Sequence, residues 1–155
     1  MPDALELLTT RRSFKAVKLA GPPPSAAEID TLLTVASRVP DHGKLAPWRF
    51  IVFEGEARRS AGEAIAAAFR AKYPDARLEH IEAERERLMR APLVIAVVSR
   101  AGPHVKIPEW EQVLSAGAAA MSLVLAARAR LRGKLDHRMV RLRPQCARRA
   151  RLGGA

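Results

Sequence analysis

The chain has 155 residues, 48% of them hydrophobic, and this length can bury one core, so a single domain is expected. The single cysteine, Cys146, can close no internal disulfide, and the four histidines show no metal-ligand spacing, which excludes disulfide scaffolds and zinc sites. The longest apolar runs, residues 91–99 and the helical stretch before Arg128, are too short or too interrupted by polar groups to span a bilayer. The first residues lack the basic flank and apolar core of a secretory signal, so we expect a cytoplasmic protein.

The net charge of +11 is concentrated at one end of the chain. Residues 130–155 contain nine Lys or Arg against one acidic residue, a net charge of +8, which leaves +3 for residues 1–129. At the same point the helix and strand patterns give way to Arg-rich sequence that has no period and no aromatic residue. We therefore divide the chain into a domain over residues 1–129 and a basic tail over residues 130–155.

The first part of the chain predicts two helices and a strand. Asp3 can cap a short helix through Leu8, and Ser25 begins a capping box that opens a second helix, which ends before Pro40. Residues 48–53 form a short apolar run with β-branched residues and predict a strand. The apolar face of the second helix consists of Ile29, Leu32, Leu33 and Ala36.

The second part predicts two helices, a strand and a long final helix. A helix over about residues 57–72 precedes a charged helical segment, capped by Asp75 and running to about residue 90, that is expected at the surface. Residues 93–98 are apolar without alternation, which predicts a strand buried on both faces. Residues 109–129 form the long helix, and its small residues at 115–120 allow close approach of a backbone or a planar ligand. Because two strands alone make a poor sheet, the domain needs further strand from elsewhere.

Two polar motifs indicate a binding site. Arg11, Arg12 and Ser13 gather two guanidinium groups and a hydroxyl, which match the oxygens of a phosphate. Residues 38–48 form a loop bounded by prolines, and these lower the cost of ordering its polar groups, which include His42. Taken alone, the first motif is also compatible with a solvated basic turn, and the histidine with a loop residue that has no role.

With residues 106–112 and 115–117 in the same order, these motifs resemble the short, single-domain branch of the FMN-dependent NAD(P)H nitroreductase family. The resemblance covers about residues 3–129. It implies an α+β fold, a nitroreductase-like α/β/α sandwich with a central, mainly antiparallel sheet, and a homodimer with FMN at the subunit interface. It further implies ping-pong, two-electron reduction of nitroaromatic or quinone-like acceptors, in which hydride passes from NAD(P)H to FMN and then to the acceptor.

The same resemblance implies roles for individual residues. Arg11, Arg12 and Ser13 would hold the FMN phosphate, and Arg38 and His42 would reach the flavin from the partner subunit. No residue is expected to act as acid, base or nucleophile, because the flavin carries the chemistry. The positions expected to approach the flavin or the nicotinamide from the end of the long helix are Ala126, Ala127, Arg128 and Ala129.

The resemblance ends near Arg130, where the family continues through a Gly-rich loop, aromatic residues and a later strand. Codons permitted for residues 129–152, read one base later, can give Leu-Gly-Phe-Gly-Ala-Asn-Trp-Ile-Thr-Gly-Trp-Tyr and an equally family-like continuation. The ATG of Met139 followed by a valine codon forces a tryptophan in that shifted frame. We therefore hypothesise a frameshift near codon 129 or 130, which puts residues 130–155 out of frame and removes the C-terminal strand or strands of the sandwich.

Two other interpretations stay open. The chain could bind nucleic acid through the Arg-rich tail, but the tail lacks interleaved aromatic residues and a binding motif, so only salt-sensitive electrostatic attraction would result. Alternatively, the chain is a degenerate remnant of the reductase. Without its last strand such a protein would expose a sheet edge and apolar surface, which would impair dimerisation and FMN binding.

Overall fold

The computed structural model describes residues 3–13, 15, 19 and 21–130. Of the basic tail predicted for residues 130–155, only the first residue belongs to this described part. The chain has an α+β architecture in the predicted order of elements. Short 3-10 turns occur at His42–Lys44 and Glu86–Arg90. The helices and strands are α1 (Ala4–Thr10), α2 (Ala26–Ala36), β1 (Trp48–Phe53), α3 (Glu56–Lys72), α4 (Leu78–Arg85), β2 (Val94–Ser99) and α5 (Glu109–Arg130).

Both predicted N-terminal caps of the first two helices are confirmed. Asp3 accepts a hydrogen bond from the backbone N–H of Glu6 at 2.9 Å, and α1 continues to Thr10, two residues beyond the predicted end. Ser25 and Glu28 form the reciprocal capping box that begins α2. These caps satisfy N–H groups that no helical carbonyl can reach, which is why local sequence located them correctly.

The two described strands form an antiparallel pair, with Trp48 opposite Ser99 and Phe53 opposite Val94. The prediction that the second strand is buried on both faces was wrong, because every residue from Val94 to Val98 is only half-buried. Within the described residues, β1 is the one strand that pairs with β2. A two-stranded sheet has both edges and part of its faces open, so it cannot enclose β2 fully.

The core lies where α2 crosses α5 beside the sheet. Leu32 and Ala36 of α2 pack against Leu123, Ala126 and Ala127 of α5. Three half-buried side chains of the sheet complete this cluster, namely Phe50, Ile95 and Val97. The predicted apolar face of α2 is thus largely confirmed.

The charged helical segment starts later than predicted, because Asp75 does not cap it. Residues 73–76 form a turn closed by the Ala76 N–H and the Tyr73 carbonyl, and the helix begins only at Leu78. Arg77 occupies the N-cap position without a side-chain hydrogen bond. Asp75 therefore lies within the turn, two residues before the N-cap position.

One face of this segment packs on α3 rather than facing water. Ile81 is buried, and the Arg85 guanidinium donates to Glu63 of α3 at 3.0 Å and also to Glu82. The hydrogen bond to Glu82, and to a smaller extent the one to Glu63, raises the pKa of Arg85 above its usual value. The segment lies at the surface as expected, since Ile81 is the one buried residue among residues 78–90. The face that packs on α3 was not predicted, because charge spacing alone does not distinguish exposed ion pairs from pairs that bridge two helices.

Helix α5 is long and apolar enough to cross a membrane by length and composition, contrary to the expectation from its polar residues. Its charged side chains lie at its two ends, and none occurs between Gln112 and Arg128. A core helix passes the same test, and the buried contacts of α5 with α2 account for its apolar character.

Candidate functional site

The first predicted motif lies where the chain leaves α1. Arg11 is the C-cap residue, with φ of −58° and ψ of 127°, so the chain turns away from the helix there. Its guanidinium Nη1 donates to the hydroxyl of Ser13 at 3.3 Å, and the side chains of Arg12 and Ser13 are exposed. The structure thus brings two of the three predicted phosphate ligands into contact, on a surface that an anion can reach.

The second predicted motif, residues 38–48, reaches the first residue of β1, and its part before the strand, residues 38–47, is named the site loop. It is ordered by its own hydrogen bonds: Asp41 Oδ2 accepts from the N–H of Ala46 at 2.8 Å, and the Asp41 carbonyl accepts from the N–H of Lys44 at 3.2 Å. Gly43 has φ of +72°, a conformation that glycine adopts without strain. Arg38 is exposed at the start of the loop.

Two side chains of α5 hold the site loop. Ser115 donates its hydroxyl to the carbonyl of Pro40 at 2.9 Å, and the Glu111 carboxylate accepts from Nδ1–H of His42 at 2.7 Å. Glu111 and Ser115 are four residues apart, so they lie one turn apart on the same face of α5. The His42 side chain is 64% exposed and that of Glu111 only 29%. The loop is therefore fastened to the helix while its histidine still faces solvent.

Gln112, next along α5, holds the segment that leads into the helix. Its buried amide donates from Nε2 to the carbonyls of Gly102 and Ile107, and its Oε1 accepts from the N–H of Gly102. Every polar atom of the side chain is thus engaged with backbone. The glutamine fixes the path from β2 to α5, and with it the position of the first turns that carry Glu111 and Ser115.

The predicted ligands at the end of α5 occupy different environments. Ala126 and Ala127 are buried in the core cluster with Leu32, while Arg128 and Ala129 are half-buried. The methyl groups of the first two are thus already packed against α2. A role for these four positions in holding a cofactor stays a prediction.

Sequence reasoning did not identify Glu111 and Ser115 as partners of the site loop. Their four-residue spacing near the start of α5 is visible in the sequence, but the partners lie 69 and 75 residues away. In the described part of the chain, no group of three or more His, Cys, Asp or Glu side chains could hold a metal ion. The candidate site is therefore a set of hydrogen-bond donors and cations around two loops.

Comparisons with known proteins identify the family of the chain. The model of the Nitroreductase family matches residues 8–131. A protein of Haemophilus influenzae named "Putative NAD(P)H nitroreductase" is 42% identical over 135 residues, which cover 82% of this chain and 67% of that protein.

Two solved structures share the fold. The nitroreductase-like family protein from Bacillus cereus superimposes with a TM-score of 0.67 at 21% identity, covering 84% of this chain and 66% of that one. The FMN and NADPH-dependent nitroreductase NfnB from sphigopyxis sp. strain HMH gives a TM-score of 0.57 at 21% identity, over 81% of this chain and 70% of that one. The chain spans about two thirds of the length of these relatives. The family match, the identity to the Haemophilus influenzae protein and the shared fold establish that this chain belongs to the nitroreductase family, a family of oxidoreductases.

Proposed function

We propose that this chain is an FMN-dependent NAD(P)H nitroreductase that passes two electrons to nitroaromatic or quinone-like acceptors. Family membership supports an oxidoreductase, and the structural neighbour NfnB is itself described as dependent on FMN and NADPH. When bound, FMN supplies hydride transfer between the nicotinamide donor and the acceptor. The residues of this chain bind and orient the cofactor, and we assign none of them as acid, base or nucleophile. A cytoplasmic location is part of the proposal.

The observation that carries the proposal is the donor set after α1. Two guanidinium groups and a hydroxyl follow one another at Arg11, Arg12 and Ser13, and the Arg11–Ser13 hydrogen bond shows that the first and last converge. Guanidinium groups offer paired N–H donors whose geometry matches phosphate oxygens, and they stay charged at any physiological pH. This donor set fits the phosphate of FMN.

We further propose a homodimer built on an exposed apolar surface of α5, the α5 stripe. The stripe repeats every three or four residues and so lies on one face, opposite the face that packs on α2. Its members are Trp110, Val113, Leu114, Gly117 and Met121. The four large ones are 62%, 52%, 63% and 45% exposed, respectively. A Cβ placed on Gly117 would meet nothing within 4 Å, so this glycine leaves a gap that another helix can enter.

Arg38 and His42 belong to the same proposal as ligands of the partner's flavin. Both are exposed, and the loop between them is anchored on α5, the helix that carries the α5 stripe. A dimer that closes on this stripe would bring each site loop near the other subunit. Each FMN would then be held by Arg11, Arg12 and Ser13 of one subunit and by the site loop of the other.

FMN binding by the full chain tests the cofactor assignment. We expect FMN fluorescence to be quenched on titration with the protein, and Arg12→Ala to weaken binding about 10-fold or more, the size of a lost charge-assisted hydrogen bond. Riboflavin lacks the phosphate, so its binding should be equally strong in both proteins. Arg70→Ala, a change of an exposed arginine on α3, is the matched control. The proposal fails if the wild-type chain binds no FMN, or if Arg12→Ala affects FMN and riboflavin alike.

Oxidation of NADH and NADPH in the presence of a nitroaromatic acceptor tests the activity. We expect consumption of the nicotinamide to require both FMN and the acceptor under anaerobic conditions. Consumption that is independent of added FMN, in protein shown to be flavin-free, would contradict the proposed mechanism.

We also propose that residues 130–155 are out of frame relative to the domain before them. The family match extends to residue 131, and the charge and pattern of the sequence change at the same place. Sequencing of the gene through codons 125–160 tests this. We expect a one-base shift to restore an aromatic and Gly-rich sequence, whereas codons that do not permit this second sequence would overturn the proposal.

A further inference from the structure

We infer that Glu111 is the positioning residue of His42, and that it determines which ring nitrogen of His42 is presented to a ligand. The inference rests on the proposed function, in which the free side of this ring meets the flavin. It goes beyond that function because it assigns a role to a carboxylate that lies on another element, 69 residues further along the chain.

The geometry of the pair carries the argument. The distance of 2.7 Å between Nδ1 of His42 and Oε2 of Glu111 is that of a charge-assisted hydrogen bond. An ionised carboxylate can only accept, so the proton of this bond belongs to Nδ1. A neutral imidazole has one proton, so Nε2 then carries a lone pair, and a protonated imidazole carries a second N–H there. In both states Nε2 is the nitrogen left for a ligand.

The two side chains of the pair differ in burial and in the element that carries them. The Glu111 side chain is 29% exposed and stands on a helix, while His42 is 64% exposed on a loop. A carboxylate held on a helix can therefore orient the more exposed ring. The Ser115–Pro40 hydrogen bond, one helical turn further on, holds the loop backbone independently of this pair. The contact of Glu111 therefore acts on the orientation of the His42 ring.

Histidine ring nitrogen spectra of the ligand-free chain give the first test. With ¹⁵N-histidine labelling at about pH 9, where histidine rings are neutral, we expect the proton of His42 on Nδ1, which faces the Glu111 carboxylate. Glu111→Ala should move it largely to Nε2, and Glu111→Gln, whose amide oxygen can still accept, should keep it on Nδ1. His42→Ala identifies the signal. A wild-type ring protonated on Nε2, or a tautomer that Glu111→Ala leaves unchanged, would overturn the inference.

A double-mutant cycle on FMN binding gives the second test. We expect Glu111→Ala to raise the FMN dissociation constant about three- to tenfold, which lies within the range of measured pairwise couplings, and Glu111→Gln to restore most of the affinity. Because Glu111 acts through the ring, Glu111→Ala should have no further effect when His42 is already alanine. Ser115→Ala, which releases the loop backbone instead, should still weaken binding in the His42→Ala background.

The two tests separate failure of this inference from failure of the proposed function. Absence of FMN binding by the wild-type chain would refute the cofactor assignment, while the spectra of the ligand-free chain would still decide whether Glu111 sets the tautomer. Independent, multiplying effects of Glu111→Ala and His42→Ala on FMN affinity would overturn the inference with the cofactor assignment intact. An FMN affinity that His42→Ala leaves unchanged would also overturn it.

Discussion

Gly62 lies on α3 where the end of α4 passes over it, and the contact leaves no room for a side chain. A Cβ at this position would collide with the backbone carbonyl oxygen of Arg85, which cannot rotate away as a side chain could. We expect Gly62→Ala to lower the free energy of unfolding by about 1–3 kcal/mol, because the two helices must separate to admit the methyl group. Urea denaturation measures this change.

The matched control for that substitution is Ser60→Ala, which places the same residue on an exposed position of α3. Helix propensity alone favours alanine over both glycine and serine, so it predicts a gain in stability for each variant. Equal stability changes in the two variants would show that the packing contact with Arg85 does not limit position 62.

Gln112 is a second single residue on which local structure depends. Gln112→Ala removes three hydrogen bonds and leaves backbone groups of Gly102 and Ile107 without their side-chain partner. We expect a loss of about 2–3 kcal/mol in unfolding free energy, the usual cost of leaving buried polar groups unpaired. The matched control is Glu109→Ala, which changes an exposed residue in the same helical turn. If denaturation shows a similarly small loss of unfolding free energy for both variants, the role assigned to Gln112 is refuted.

At the scale of elements, the α5 stripe makes a prediction about assembly. Leu114→Glu would place a carboxylate in each half of the proposed interface, and like charges brought together there cost several kcal/mol. We expect the dimer dissociation constant to rise by about 100-fold or more, measured by analytical ultracentrifugation. The matched control is Leu78→Glu, which changes a similarly exposed leucine on α4, outside the proposed interface. Equal effects of the two changes, or a monomeric wild-type chain, would contradict the proposed interface.

The elements also show what could be predicted from this sequence. The Ser25 capping box and the first strand followed from local signals, because a cap and its partner are three residues apart and a strand shows its own composition. The predicted cap at Asp75 was wrong, because residues 73–76 form a turn and the helix begins only at Leu78. Glu111 and His42 could not have been paired from the sequence, since their contact depends on how α5 lies against the site loop.

At the scale of the whole molecule, the proposed site combines residues of two subunits, so cofactor binding and dimerisation should depend on each other. We expect the apparent FMN affinity to fall when the protein is diluted below its dimer dissociation constant, because ligands such as Arg38 and His42 would then be missing. Titrations at two protein concentrations, with Leu114→Glu for comparison, measure this linkage. An affinity independent of protein concentration across the dissociation range would place all ligands of the flavin on one subunit.

The attachment of the site loop to α5 has a consequence for the dynamics of the chain. A polar, solvent-facing loop of this kind would ordinarily open alone and exchange its backbone hydrogens rapidly. Here the Ser115–Pro40 and His42–Glu111 bonds join it to a helix that also packs in the core. The loop and the first turns of α5 therefore form one cooperative unit, and the amide of Ala46 should exchange about as slowly as those of the helix that holds it.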